Sequence, residues 1–185
     1  MAHLSRKDLG LLAMRLGTSG VLFVHGTQKL FGWFGGHGID ATANAMESMG
    51  FHPGKPAAIA AGAGEAGGGL LLALGVATPV AGAAAAGAMA GAVAVHRKAG
   101  FFATAGGYEY PAYLGFMAAG LGLAGPGRIS LDHATHHRLN RPPMVLLALA
   151  GAAVAAFAIV DRREKALSAQ ALKAEAQEIF EDQQP

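Results

Sequence analysis

The feature that most constrains this chain is a series of apolar runs, each near the length a bilayer core demands, with single charges embedded in two of them. About 20 predominantly apolar residues are needed to span that core as a helix. The first run is Leu9 to Leu30, interrupted by Arg15, His25 and Lys29. The second, Pro56 to Val76, is interrupted only by Glu65, and the third, Pro79 to Val95, is almost entirely alanine, glycine and valine. A short, glycine-broken fourth run covers Tyr110 to Ala124, and a fifth covers Met144 to Val160 behind Pro142 and Pro143, which a first helical turn tolerates. A soluble bundle would require polar helix faces, and the third and fifth runs have none. Composition agrees, because only 14% of the 185 residues are charged, against about a quarter in ordinary soluble domains. The expectation is an all-α integral membrane bundle of four helices with an additional C-terminal transmembrane helix, in contact with lipid.

Other classes recede on the same evidence. There is no cysteine, hence no disulfide and no thiol chemistry from this chain. The net charge of +2 comes from basic residues scattered at helix ends, with no basic stripe for nucleic acid. Arg15 breaks the first run early and no small-residue cleavage site follows, which argues against a cleaved signal peptide. The segment from residue 161 to 185, rich in alanine, lysine and glutamate, reads as a charged helical tail with Leu172, Ala176, Ile179 and Phe180 on one face. The loops Gly32 to Lys55 and Arg97 to Glu109 fall on one side of the membrane. Counts of basic residues on the two sides conflict; weight on the first span favours a cytoplasmic N-terminus.

Charges inside a span are the informative positions. They cost about 2.5–3.5 kcal/mol each at a helix centre, so they usually face the protein interior and mark a site. Arg15, Thr18, Leu22, His25 and Lys29 follow helical spacing and share one stripe of the first helix. Glu65, amid Gly62, Gly64, Gly67, Gly68 and Gly69, is the natural counterpart on the antiparallel second helix. Counting rise per residue puts it level with Val21 or Leu22. The expectation is that Arg15, His25 and Glu65 face one another inside the bundle, either as a catalytic group or as an ion pair that only holds the helices. A second concentration gathers at the long-loop side: His25, Lys29, His96, Arg97, Tyr108 and Glu109, with Trp33, Phe34, Phe101, Phe102 and Tyr110 around them. Convergent titratable groups among aromatics suit an amphipathic ligand with a polar head, such as a quinone, a lipid or a sulfur compound. His133, His136 and His137 have spacing that could share a helical face, but no carboxylate-and-histidine metal motif is completed, so no metal is assigned. Gly87 to Gly91 form a GxxxG pattern that reads as packing within the bundle.

The segments LLAMRLGTSGVLFVHGTQKLFGWFGG, AGAGEAGGGLLLALGVATPVAG, GFFATAGGYEYP and GPGRISLD, in that order from Leu11 to Asp132, resemble the DoxX family of bacterial membrane proteins. The resemblance implies a four-helix DoxX-like membrane bundle over residues 1–132. A polar loop and fifth helix at 133–160 and the tail at 161–185 then extend beyond the usual pattern. It further implies a multi-pass protein of the bacterial inner membrane with a redox association. The wider family resembles membrane subunits of thiosulfate:quinone oxidoreductase, and some members are linked to complexes handling thiol or superoxide stress. Carried over by position, the family-like residues are Arg15, His25, Lys29, Glu65, His96, Tyr108, Glu109 and Asp132. Two functions follow as expectations. One is a subunit of a quinone-linked oxidoreductase, with Arg15, His25 and Glu65 as catalytic candidates and Lys29, His96, Tyr108 and Glu109 holding the quinone. Its electrons would come from a partner, since no haem, flavin or metal motif is evident. The other is a non-catalytic membrane scaffold that recruits a soluble redox or stress-response enzyme.

Overall fold

The computed structural model describes residues 5–182. The first four residues of the expected bundle and the last three of the expected tail lie outside them. Among the described residues the chain is helical with no strand. Helix α1 (Arg6–Phe31) is followed by a short surface helix, α2 (Gly38–Ser48), and then by α3 (Gly54–Leu74), α4 (Thr78–His96) and α5 (Glu109–Ala124). A single turn, α6 (Leu131–Ala134), leads to the 41-residue α7 (Pro142–Asp182). α1, α3, α4 and α7 are long and apolar enough to cross a membrane. With 16 residues, α5 reaches only about 24 Å at 1.5 Å per residue. The boundary expected at 160–161 falls inside α7, which runs through it unbroken.

Successive spans alternate in direction, so the molecule has two faces. The N-terminal face carries Ser5, the Gly75–Thr78 turn and the 125–142 segment; the loop face carries residues 32–53 and 97–108. Ser5 starts α1 with a reciprocal capping box: its hydroxyl accepts from the Asp8 amide (3.1 Å), and the Asp8 carboxylate accepts from the Ser5 amide (3.1 Å). Exposed Trp33, Phe34, Phe101 and Phe102 ring the loop face, as interfacial anchors do.

The helices meet through small residues rather than bulky ones. A Cβ on Gly26 would fall 2.3 Å from the Ala66 amide nitrogen, so α1 and α3 touch backbone to backbone there. α3 packs on both α1 and α4, and α5 packs on α4. A compact apolar core of Leu22, Leu72, Ala81, Met89, Leu114 and Leu121 lies between them. α7 lies against α4, with slight contact to α5, and its most apolar stretch buries nothing. That stretch therefore presents Leu146, Leu147, Val154 and Phe157 outward, as a lipid-facing helix does.

α7 is fixed instead at the loop face by Arg163, which is 6% exposed. Its guanidinium donates to the Met49 carbonyl (2.9 Å) and to the Ala94 carbonyl in the last turn of α4 (3.2 Å), and stacks over the Phe51 ring at 5.4 Å. A cation at that helix end also complements the dipole. Lower down, a Cβ on Gly87 of α4 would lie 3.9 Å from the Ala152 Cβ of α7. Native disulfides span about 3.8 Å between Cβ atoms. The double substitution Gly87→Cys/Ala152→Cys in this cysteine-free chain should form an intramolecular bond on mild oxidation, read by mass and gel mobility. Cross-linking only between molecules would mean that α7 is not docked on α4.

Candidate functional site

Arg15 and Glu65 are both buried, at 1% and 2% exposure, but they do not pair. Small-residue contacts set the α1–α3 register: Gly26 abuts Ala66, and Gly69 abuts Ser19 and Phe23. Glu65 is therefore level with residues 26–27 of α1, about one turn higher than expected, and Arg15 lies well over two turns below it on the helical rise. Lys29 takes the carboxylate, its ammonium donating to Glu65 Oε2 at 2.5 Å. The expected meeting of Arg15 with Glu65 is thus corrected to Lys29 with Glu65. His25 lies within electrostatic reach of Glu65 and packs edge-on against the Tyr110 ring, 5.9 Å between centroids.

Arg15 closes the N-terminal face. Its Nε donates to the Leu72 carbonyl (2.8 Å) and its Nη2 to the Ala73 carbonyl (2.7 Å), both at the C-terminal end of α3. Its Nη1 donates to the carbonyls of Pro126 and Ile129, the latter at 2.9 Å. Gly75, in the left-handed region at φ 64°, ends α3 in this knot, where a Cβ would strike Ser130 and the guanidinium. Asp132, fully buried, lies within electrostatic reach of Arg15 and does complementary work for α4. α4 has no cap of its own, and Asp132 accepts from the amides of Ala77 (2.9 Å) and Thr78 (3.0 Å) and from the Thr78 hydroxyl (2.8 Å). This bonding holds Ala77 at φ 47°, a strained conformation for a residue with a Cβ.

On the other face, three of the expected ligand-binding residues order the 97–108 loop. His96 Nδ1 is 2.8 Å from the Gly106 carbonyl, Glu109 accepts from the Ala103 amide (3.0 Å), and the Tyr108 ring packs edge-on to Phe101 at 5.5 Å. His96, Tyr108 and Glu109 thus lie together on the loop face, where Lys29 also emerges, but neither they nor His25 line the cavity between α3, α4 and α7.

That cavity, about 420 Å³, is a groove with α4 as its floor and α3 and α7 as its walls. α3 and α7 both pack extensively on α4 and scarcely on each other, which leaves the gap between them. Its sides are small and apolar, with Ala57, Ala61, Gly91 and Ala92 among them. Glu65 and Lys29 occupy one part of the wall, and Arg162, Arg163 and His52 another. In the sequence Arg162 and Arg163 are two of the basic residues whose counts bear on membrane orientation. Their role depends on α7 folding back over the 49–53 loop, which no spacing encodes. Glu47 braces that loop, accepting from the Gly54 amide and lying 2.9 Å from His52 Nδ1. Among the described residues no cluster of three or more histidines, aspartates and glutamates is placed to hold a metal; His133 and His137 stack on each other, 5.4 Å between centroids.

A helical bundle with four bilayer-length apolar helices and single charged side chains buried at its helix ends is a multi-pass membrane protein. The DoxX family model matches residues 10–98, so that α1, α3 and α4 form a DoxX-like domain. No curated protein and no solved structure matches it.

Two stability effects follow. Arg15→Met leaves buried carbonyls at the end of α3 without donors and should lower stability by more than about 2 kcal/mol, seen as a lower thermal midpoint in detergent. An unchanged midpoint would contradict the knot. The hydrogen bonds from His52 and the Gly54 amide, in that order, hold the Glu47 carboxyl below its ordinary value of 4.5. The charged form is the one stabilised, so its contribution is complete above 4.5 and lost as pH falls through the depressed value. Amide exchange at Gly54 should accelerate over that acid range relative to flanking amides, and Glu47→Gln should remove the pH dependence.

Proposed function

We propose that the chain is the membrane subunit of a quinone-linked redox complex in the bacterial inner membrane, and that the groove between α3, α4 and α7 receives the quinone. The observation that carries this reading is the groove itself. Its volume of about 420 Å³ lies within the range of about 300–1,000 Å³ usual for small-molecule sites. It combines apolar walls with a carboxylate and an ammonium at one end, the pattern an amphipathic ring with polar oxygens requires. When bound, a quinone supplies a reversible acceptor of two electrons and two protons. At that end Glu65 and Lys29 can hydrogen-bond its oxygens, and the small side chains of α3 and α4 admit the ring while excluding water. His25, His96, Tyr108 and Glu109 then support the site from the loop face. Electrons come from a partner redox protein.

A second reading is favoured by one specific observation. Beyond Arg163, α7 extends 19 residues as helix, about 28 Å at 1.5 Å per residue, with Leu172, Ile179 and Phe180 exposed. Such an arm suits a scaffold that recruits a soluble redox or stress-response enzyme. Gly91 separates the two readings. It lines the groove, and a Cβ there meets nothing within 4 Å, so Gly91→Leu fills the groove without striking protein. Wild type should bind a short-chain quinone analogue saturably, and Gly91→Leu should bind it at least about tenfold more weakly, a difference of 1.4 kcal/mol, with its melting temperature maintained. No saturable binding by wild type, or equal binding by the variant, leaves the scaffold reading.

A further inference from the structure

Lys29 lines two cavities, not one. Besides the groove it borders a polar pocket of about 250 Å³ on the loop face, walled by His25, Gln28, Gly36, His37 and Thr42. The Lys29 side chain is 28% exposed while that of Glu65, 2.5 Å away, is 2% exposed. The pair therefore stands as a partition: its ammonium is reached from the aqueous loop face, and its carboxylate from the lipid-side groove. α4 offers only Gly87, Ala88 and Gly91 at that level of the groove; α7 contributes Arg162 and Arg163, and the 49–53 loop His52, at its outer end. An arginine does not release its proton under these conditions.

We infer that Lys29 and Glu65 form a one-sided proton relay, connecting water in the pocket at His25 and His37 to a ligand in the groove. The inference deepens the quinone-linked reading, resting on it only for the identity of the proton acceptor. In the direction of ligand reduction, Glu65 in its carboxylic acid form gives its proton to a ligand oxygen. The carboxylate regains one from the Lys29 ammonium along their hydrogen bond, and the Lys29 amine is reprotonated from pocket water or His25. Two such cycles deliver two protons, matched by two electrons from a reduced partner protein that is oxidised in the same turnover. The reverse sequence returns protons to the loop face.

The test needs neither quinone nor partner. The Glu65 carboxyl and carboxylate bands are assigned in infrared difference spectra against Glu65→Gln, and their response to a pH or D2O step is followed in proteoliposomes. His37 makes no side-chain hydrogen bond among the described residues, so His37→Cys is a mild handle in a chain without cysteine. Capping it with a bulky, charged methanethiosulfonate should slow the Glu65 response at least about tenfold, whereas the same label on His133→Cys, exposed on the N-terminal face, should leave that rate unchanged. Lys29→Met should slow it further, and if that variant does not fold the capping comparison still decides. A Glu65 response untouched by the cap, one slowed equally by the label at residue 133, or no response to either step overturns the relay. Quinone binding measured on the same preparations is a separate result: a working relay without quinone binding refutes only the quinone.

Discussion

The structure depends on how backbone groups at helix ends are satisfied where little water reaches them. Unpaired amides and carbonyls in apolar surroundings cost several kcal/mol each, and each α-helix leaves four of each kind at its termini. Here charged side chains from distant parts of the chain meet that demand. Asp132 accepts from the first amides of α4, Arg163 donates to a carbonyl of its last turn, and Arg15 donates to the end of α3. An anion at the start and a cation at the end of α4 also complement its dipole. α4 is thereby the fixed member against which α3, α5 and α7 are placed.

From that arrangement the groove follows. Two helices attached to one face of α4, and scarcely to each other, must leave a channel between them whose floor is whatever α4 presents. Alanine and glycine make that floor shallow and smooth, so space remains where leucine would have filled it. Glu65 then owes its position to the α1–α3 contact at Gly26 and Ala66, which sets it one turn from Lys29. Breaking a buried ion pair by deleting one member costs far more than the pair contributes. Once placed there the carboxylate depends on Lys29, whose own side chain remains partly solvent-exposed.

The sequence carried the architecture well because its signal was additive. Apolar runs located the first four spans to within a few residues, and Arg15 and Glu65 within them were buried as their insertion cost implies. It carried partnership poorly. Arg15 and Glu65 looked complementary when spans were aligned by their apolar ends, but helix register was decided by backbone contact at small residues, which hydropathy does not weigh. Arg15, Asp132 and Arg163 bond to backbone groups, and a backbone acceptor has no sequence letter to point to. Asp132 was legible only through family resemblance. The roles of Arg162 and Arg163 at the groove were not legible at all.

The extent of the family match sharpens what is particular to this chain. Residues 10–98 take in α1, α3 and α4, and with them Lys29, Glu65 and the small residues of the groove floor. The opposite wall, with Ile159, Arg162, Arg163 and Ala166, comes from α7, outside the matched region. The ion pair and the floor can therefore exist without α7, but as an open face rather than a groove. By bringing α7 across and fixing it with Arg163, this chain encloses that face and adds positive charge at its outer end. Glu65 and Lys29 thus supply the buried charge of that face, while α7 supplies its outer wall and the cations at its rim.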